Sequence, residues 1–214
     1  MLDKVQSRTA MAVSAALLAL AVPQVQAVSA LGAATVRDQE TGAPAAPWQR
    51  PSGRTTLPPW PAPKDARPGM RAAGLPLLSE DAKLAQHIHA HLDVIVNGKP
   101  VVVPADIGID RKRHGVSPLH THDTTGVLHI ESTKKEDFYL GQFFNEWQVS
   151  FSRKNLGGLR TSRTRVLKVH VNGALYKGDP RNLKLRAHDQ IAVVYGKARS
   201  RVKVPGHYEF PPGA

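Results

Sequence analysis

A segment with strict alternation that ends in Asn97-Gly98 constrains the fold of this chain most. Every second residue from Ile88 to Val96 is apolar, and histidines occupy several of the positions between them. A period of two predicts a β-strand with one buried face. Asn-Gly predicts a hairpin, because a type I′ turn needs positive φ at both central positions. Pro100, which lacks an N–H, places the returning strand at an edge of the sheet.

The same pattern recurs near the C-terminus, and one helix is predicted between the two. Val169 and Val171 alternate with polar residues before Asn172-Gly173, and the apolar run 191–195 supplies a closing strand. Apolar residues with helical spacing, which form one stripe that can cover a sheet, are Leu140, Phe143, Phe144 and Trp147. We therefore predict an α+β fold, a small antiparallel or mixed sheet of hairpins packed on one helix, β-grasp-like. A small all-β barrel with an incidental helix is the alternative.

The N-terminus is typical of a secretory signal peptide. Lys4 and Arg8 precede an apolar run over residues 10–22, and small residues then allow cleavage after Ala27 or Ala30. The run is shorter than the ~20 residues that span a bilayer as a helix, which disfavours the alternative of an uncleaved anchor. No later segment could span a membrane. We predict a signal peptide over residues 1–27 and a secreted or periplasmic protein.

Proline and charge define the remaining segments. Residues 28–78 are rich in proline and alanine and lack apolar periodicity, which predicts a disordered linker in which Trp48 and Trp60 are idle. The folded domain is then expected over 79–204, with a flexible tail over 205–214. The formal charge of +12, with basic stretches at 152–165 and 197–203, favours solvated loops or contact with an anionic cell-envelope surface. No aromatic residues are interleaved with these basic residues, so we predict no nucleic-acid partner.

Three histidines alternate along the first predicted strand. His87, His89 and His91 point to the same face, and adjacent members are ~6.5 Å apart at their Cα atoms. Two imidazoles at this spacing can bind one metal ion, whereas the outer two, ~13 Å apart, cannot do so comfortably. At most one adjacent pair is therefore expected to share an ion.

A second segment contains three more histidines and a glutamate. If 123–126 is a tight two- or four-residue connection, His120 lies directly opposite His129, and His122 and Glu131 share their face. A three- or five-residue loop would instead turn His129 and Glu131 to the other face. The polar and glycine residues of the turn favour the first arrangement.

These residues point to a Cu(II) or Zn(II) site. Neutral imidazole suits both ions, and the absence of cysteine excludes thiolate sites, a Cys nucleophile and disulfides. The predicted metal ligands are His87, His89, His91, His120, His122 and His129. Asp93, Asp123 and Glu131 are predicted to hold the second ring nitrogens or to act as a general base. Buried structural histidines and a pH-responsive surface are the alternatives; the remaining histidines, at 114, 170, 188 and 207, are interpreted as ordinary. We also predict that the two histidine segments meet in space.

Three motifs carry a resemblance to a family of secreted or membrane-tethered bacterial and archaeal proteins without an assigned activity. They are HIHAHLDVIVNGKPVVVPADIGI, SPLHTHDTTGVLHIES and LGQFFNEW, which together span most of 87–147. The H-x-H pairs also resemble faintly those of a cupin, whose first motif places a glutamate soon after the pair. Here the first glutamate after His122 is Glu131.

The sequence therefore predicts a secreted or periplasmic histidine-rich metal-binding protein that sequesters or delivers Cu(II) or Zn(II). A metal-dependent enzyme with the same cluster, in which Glu131 or Asp123 acts as general base toward a metal-bound water, is one alternative. The other is a cell-envelope interaction module with structural histidines. No phosphate loop, dinucleotide fingerprint or Ser-His-Asp motif supports a metal-free enzyme.

Overall fold

The computed structural model describes residues 46–200 and 202–212. The predicted signal peptide and residues 28–45 of the predicted linker lie outside this range. Among the described residues, no helix is both long enough and apolar enough to cross a bilayer.

The described chain is α+β, as predicted, with more strand than helix. The helices are α1, Arg67–Ala73, and α2, Leu140–Glu146, together with short 3-10 helices at Pro47–Gln49, Arg111–Arg113 and Pro180–Asn182. The strands are β1 (Leu78–Ser79), β2 (Gln86–Val96), β3 (Lys99–Val101), β4 (Ile109–Asp110), β5 (Gly115–Val116), β6 (Leu119–His120), β7 (Val127–Ser132), β8 (Phe151–Ser152), β9 (Asn155–Leu156), β10 (Leu159–Arg160), β11 (Arg165–Val171), β12 (Ala174–Leu175) and β13 (Gln190–Lys197).

The main sheet has the strand order β12-β11-β13-β2-β7-β6, and β3 pairs with β2 beyond the end of β7. The first and last long strands, β2 and β13, are parallel neighbours at its centre, and their other partners are antiparallel. This arrangement is β-grasp-like. The sheets of the described residues do not close, so the alternative of a small barrel is wrong.

Both predicted Asn-Gly hairpins are confirmed. Asn97 and Gly98 have φ values of 52° and 81° between β2 and β3, and Asn172 and Gly173 have 51° and 80° between β11 and β12. Positive φ at both positions is what a type I′ turn requires, and its twist matches that of the paired strands. The register of each hairpin therefore follows from its turn.

The predicted apolar stripe is buried, and so is every other residue of α2. Leu140, Phe143 and Phe144 are fully buried, as is Trp147 at the end of the helix. They belong to the same hydrophobic core as Leu92 of β2 and Val169 of β11. The helix begins at a capping box, in which the Tyr139 backbone N–H donates to Gln142 Oε1 at 2.9 Å.

The prediction of a disordered linker and an idle Trp60 is wrong for residues 46–78. Trp60 is 1% exposed and packs edge-on against Trp147, with ring centroids 5.9 Å apart. Trp147 Nε1 donates to the Trp60 carbonyl at 3.1 Å, and α1 packs on α2. A proline-rich segment cannot build a core alone, but it can bury apolar side chains against one that already exists. The folded unit therefore begins well before residue 79.

Arg181 attaches residues 48–50 to the rest of the folded domain. Its guanidinium group is buried and donates to the carbonyl oxygens of Trp48, Gln49 and Arg50, and to that of Phe151 at 2.8 Å. Burial lowers the pKa of Arg181 to about 10, which leaves it charged at neutral pH. Several carbonyl dipoles thus replace the water around one buried cation.

The second face of the sheet is covered by the C-terminal segment. Val202 and Val204 pack on Ile95 and its neighbours in β13, and the Tyr208 ring stacks on His91 with centroids 3.7 Å apart. The prediction that β2 buries only one face is therefore wrong for its middle part. Up to residue 212, the segment predicted as a flexible tail contacts the sheet through Tyr208.

Candidate metal centre

Three adjacent strands bring the two histidine segments to one face of the sheet. His120 of β6 lies directly opposite His129 of β7, which confirms the predicted hairpin register. On its other side β7 pairs with β2, where His129 lies opposite His89 and Glu131 lies opposite His87. Directly opposed side chains in a ladder share a face. The predicted meeting of the two segments is thus confirmed.

The turn between β6 and β7 positions His122. Asp123 accepts a hydrogen bond from the Thr125 backbone N–H at 2.8 Å, and Gly126 has a φ of 89°, which favours glycine. His122 lies beyond the end of β6, yet its ring still turns toward His120. A tight turn closed by local hydrogen bonds therefore places a residue outside the strand within reach of the ladder.

The first group of possible ligands combines His120, His122, His129 and Glu131. One ligand atom from each lies within 4.8 Å of all the others. The Nε2 atoms of His120 and His122 are 3.1 Å apart, and Glu131 Oε1 is 3.8 Å from His120 Nε2 and 3.7 Å from His129 Nδ1. Three nitrogen ligands and one carboxylate thus face a common point.

The second group consists of His87, His89 and His129, and it shares His129 with the first. His89 Nε2 is 3.0 Å from His129 Nδ1, and His87 Nε2 is 3.2 Å from Glu131 Oε1. The sequence left two adjacent histidine pairs of β2 as candidates, His87 with His89 and His89 with His91. The structure brings His87 and His89 next to the second histidine segment.

His91 lies on the same face but is engaged elsewhere. Its Nδ1 is 2.9 Å from Gln190 Oε1, and its Nε2 is 2.7 Å from the Thr125 carbonyl oxygen. Because both nitrogens face oxygen acceptors, neither directs a lone pair toward the other histidines. The structure thus separates His91 from the five histidines of the two groups.

Of the three predicted acidic residues, only one lies in the histidine cluster. Glu131 is itself a member of the first group. Asp93 accepts from Gln190 Nε2 at 2.8 Å and lies 3.7 Å from His91 Nδ1, so it belongs to the surroundings of His91. Asp123 accepts hydrogen bonds from Thr125, which lower the pKa of its carboxyl group. Neither aspartate is among the possible ligands in the described residues.

The electrostatics of the cluster favour neutral imidazoles beside an ionised carboxylate. Burial lowers the pKa of His89 and of His120 to about 4, and it also lowers that of His122. The neighbouring His129 holds the pKa of Glu131 below its usual value. At neutral pH these groups therefore offer lone pairs and one negative charge, the forms in which they bind a metal ion.

A backbone carbonyl that sequence reasoning missed fixes the orientation of His120. His120 Nδ1 donates to the Ser117 carbonyl oxygen at 2.8 Å, which leaves the Nε2 lone pair directed at the cluster. Ser117 Oγ in turn donates to the buried Glu146 at 2.6 Å. Any residue type supplies a carbonyl, so no sequence signal marks this contact. His89 is less constrained, since its buried Nδ1 has no hydrogen-bond partner among the described residues.

The distances fit a bound transition-metal ion. Two atoms that share an ion at bond lengths of ~2.0–2.1 Å must lie within ~4.2 Å of each other. Five pair distances, from 3.0 to 3.8 Å, meet this limit, and the other ligand atoms within each group lie no more than 4.8 Å apart. Imidazole with one carboxylate is also a donor set that suits Zn(II) and Cu(II). The residues therefore fit such an ion.

The first group opens onto a cavity of about 300 Å³. It is lined by three members of the first group, His120, His122 and Glu131, and by Glu80, Ile109, Arg111 and Val116. A small molecule in this cavity would contact an ion held by the first group. Sequence reasoning missed the last four of these residues, because β1, β4 and β5 and their neighbouring residues approach the histidines only in the folded chain.

The four remaining histidines, at positions 114, 170, 188 and 207, lie outside both groups. Comparison with known proteins adds no name to this site: no protein-family model matches the chain, and no curated protein or solved structure is significantly similar to it. The resemblance carried by the three motifs stays a prediction.

Proposed function

We propose that this protein binds Cu(II) or Zn(II) in the periplasm or outside the cell and sequesters or delivers the ion. One observation carries the proposal: possible ligand atoms of His120, His122, His129 and Glu131 lie within 4.8 Å of one another. The fixed Nε2 of His120 and the neutral imidazoles support it, because ligands that are already oriented and deprotonated reduce the cost of binding.

The sequence limits the choice of metal. Without cysteine, and with methionine only at positions 1, 11 and 70, the chain lacks the soft ligands that favour Cu(I). Borderline ions that prefer imidazole remain. Cu(II) has the highest affinity among them, and Zn(II) is usually held by four ligands, the number in the first group. The location outside the cytoplasm is supported by the N-terminal sequence, with its basic residues, apolar run and small residues.

The cavity beside the first group favours a second candidate function, a metal-dependent enzyme. A catalytic ion keeps a coordination position open to substrate or water, and the cavity of about 300 Å³ would supply that access. Glu131 would then be a ligand, which leaves Glu80, the other carboxylate that lines this cavity, to act as a base. Turnover of a small substrate by the metal-loaded protein would distinguish this function from sequestration.

Contact with an anionic envelope surface is part of the proposal. The side chains of Arg163, Arg165, Lys197 and Arg199 line one depression at the end of the β11–β13 pair. This cluster contains no acidic residue, so its field attracts anions.

Elemental analysis tests the metal proposal. Protein purified from its native compartment is expected to carry copper or zinc, and the metal-free protein to bind added Zn²⁺ in a calorimetric titration. His120→Ala should weaken binding at least ~10-fold, or ~1.4 kcal/mol. His207→Ala, which changes an exposed histidine outside both groups, is the matched control and should bind normally. If the metal-free protein binds neither Zn²⁺ nor Cu²⁺, the proposed function is wrong.

A further inference from the structure

The six clustered side chains form three pairs on neighbouring strands. The central strand β7 contributes His129 and Glu131, which are two residues apart and share a face. One flank carries the His87 and His89 pair of β2, and the other carries His120 of β6 with His122 beyond it. Two H-x-H pairs thus enclose one H-x-E pair.

One ion cannot use all six donors in this arrangement. The donors separate into two groups, and only His129 belongs to both. Zn(II) in proteins is usually held by four ligands, a number that the first group already supplies. An ion bound there would leave the imidazoles of His87 and His89 beside it without a role.

Glu131 lies between the two flanking pairs. Its Oε1 is 3.2 Å from His87 Nε2 on one side and 3.8 Å from His120 Nε2 on the other. A carboxylate has two oxygens with several lone pairs and can therefore bind two cations at once. Paired metal ions in proteins are commonly ~3.5–4 Å apart, a separation that one carboxylate can span.

From this geometry we propose that the centre holds two divalent ions bridged by Glu131, the first bound also by His120, His122 and His129 and the second by His87 and His89. Neutral His129 has a single lone pair and therefore binds one ion only. This inference rests on the metal binding proposed above and specifies its stoichiometry. The first ion occupies the His120 side, because the Ser117 carbonyl already orients that ring. The second binds more weakly, because it approaches a cation and because His89 lacks a partner that fixes its ring.

Each half of the centre has its own route to solvent. The His120 and His122 side opens onto the cavity of about 300 Å³, whereas His87 lines a separate cavity of about 550 Å³ with Lys135, Glu136 and Lys184 among its walls. His87 is also half exposed, so an ion can reach it without passing through the first site.

Equilibrium dialysis of the purified protein against Zn²⁺, followed by elemental analysis, tests the proposal. Two bound ions per chain are expected at saturation. A value of one would overturn the two-ion centre and leave the proposed function intact, whereas a value of zero, both for Zn²⁺ and in a parallel dialysis against Cu²⁺, would overturn both.

Matched variants locate the two ions. His87→Ala/His89→Ala and His120→Ala/His122→Ala should each reduce the stoichiometry from two to one, and His207→Ala should retain two. The single variant His87→Ala guards against misfolding of the double variants, since that side chain is half exposed, and it should selectively weaken the second binding step. An unchanged second step in His87→Ala would overturn the assignment of that ion.

Electron paramagnetic resonance of the Cu²⁺-loaded protein tests whether the ions are neighbours. The signal should grow up to one equivalent and then lose intensity or split as the second Cu²⁺ couples to the first. In His87→Ala/His89→Ala, one equivalent should give an uncoupled signal only. In the unchanged protein, two equivalents of Cu²⁺ that contribute as independent centres would show that the ions are far apart, and would overturn the bridging role of Glu131.

Discussion

His89 Nε2 lies 3.0 Å from His129 Nδ1, directly across the ladder between β2 and β7. The two residues are 40 positions apart in the chain, and each comes from a different histidine segment. This contact joins the H-x-H pair of β2 to the group formed by β6 and β7. It also makes His129 the residue that belongs to both groups of possible ligands.

We expect His129→Ala to be the most damaging single histidine substitution for metal binding. His129 completes the ligand set of the first ion and is the third imidazole of both groups, so its loss should weaken the strongest Zn²⁺ binding step by at least ~10-fold, or ~1.4 kcal/mol. His122→Ala should affect mainly the first step. Calorimetric titrations of both variants and of His207→Ala provide the measurement. Binding by His129→Ala that equals that of the control would contradict this role.

In the metal-free protein, we expect the free energy of unfolding to fall as the pH decreases from 6.5 toward 4. The pKa of both His89 and His120 is lowered from 6.5 to about 4 by burial, so the unfolded chain takes up protons in this range before the folded chain does. Stability must then decrease with falling pH. Urea unfolding at several pH values measures the effect.

Two additions to that experiment make it specific. His120→Gln, which cannot titrate, should show a smaller loss of stability between pH 6.5 and 4 than the unchanged protein. Saturating Zn²⁺ should steepen the loss, because an ion that binds only the folded state adds stability that protons remove. An equal loss in the unchanged protein and in His120→Gln would argue against the lowered pKa of His120.

Glu146 should produce the opposite dependence at higher pH. Burial raises the pKa of Glu146 from 4.5 to about 8, so the folded state retains a proton that the unfolded chain releases. The contribution of Glu146 to the free energy of unfolding should therefore fall as the pH rises from 4.5 to 8. This fall should be visible above pH 6.5, where His89 and His120 no longer oppose it, and Glu146→Gln should remove it. Glu209→Gln is the control, because Glu209 is exposed. A pH profile that Glu146→Gln leaves unchanged would contradict a buried protonated carboxyl group.

Trp60→Ala should destabilise the fold as a core substitution does. Trp60 is 1% exposed, packs against Trp147 and donates from Nε1 to the Thr56 carbonyl at 3.0 Å, so truncation leaves a cavity that costs about 3–5 kcal/mol. Leu57→Ala, three residues earlier and 64% exposed, should change the free energy of unfolding by less than ~0.5 kcal/mol. Chemical denaturation of both variants makes the comparison. If both substitutions changed the free energy of unfolding by equally small amounts, the segment around Trp60 would be a linker and not part of the core.

Local sequence was sufficient for both Asn-Gly hairpins, for α2 and for one half of the candidate centre. Asn97-Gly98 and Asn172-Gly173 specify their turns because positive φ at both positions favours these residues, and the helical spacing from Leu140 to Trp147 identifies α2 as a helix of the core. The opposition of His120 and His129 followed from the length of the turn, since a turn fixes the register of the strands that it joins.

Tertiary structure alone decided which of the β2 histidines lie next to the group formed by β6 and β7. The pairing of β2 with β7 places His89 opposite His129, and the pairing of β2 with β13 places Gln190 beside His91. A strand with histidines at every second position has no local preference among these registers. The choice depends on contacts between residues far apart in the chain.

Contacts between distant residues also explain why the sequence did not reveal the burial of Trp60, the role of the Ser117 carbonyl or the residues that line the cavity. Composition around Trp60 predicts a chain that cannot fold alone, but burial against Trp147 depends on a surface that residues far along the chain provide. A carbonyl oxygen and the side chain of Glu80 acquire a role only through what the fold places next to them. The sequence by itself determined the types of ligand and their local spacing; the assembled sheet decided which of them share one site, because strand partners are chosen by the burial of the whole core.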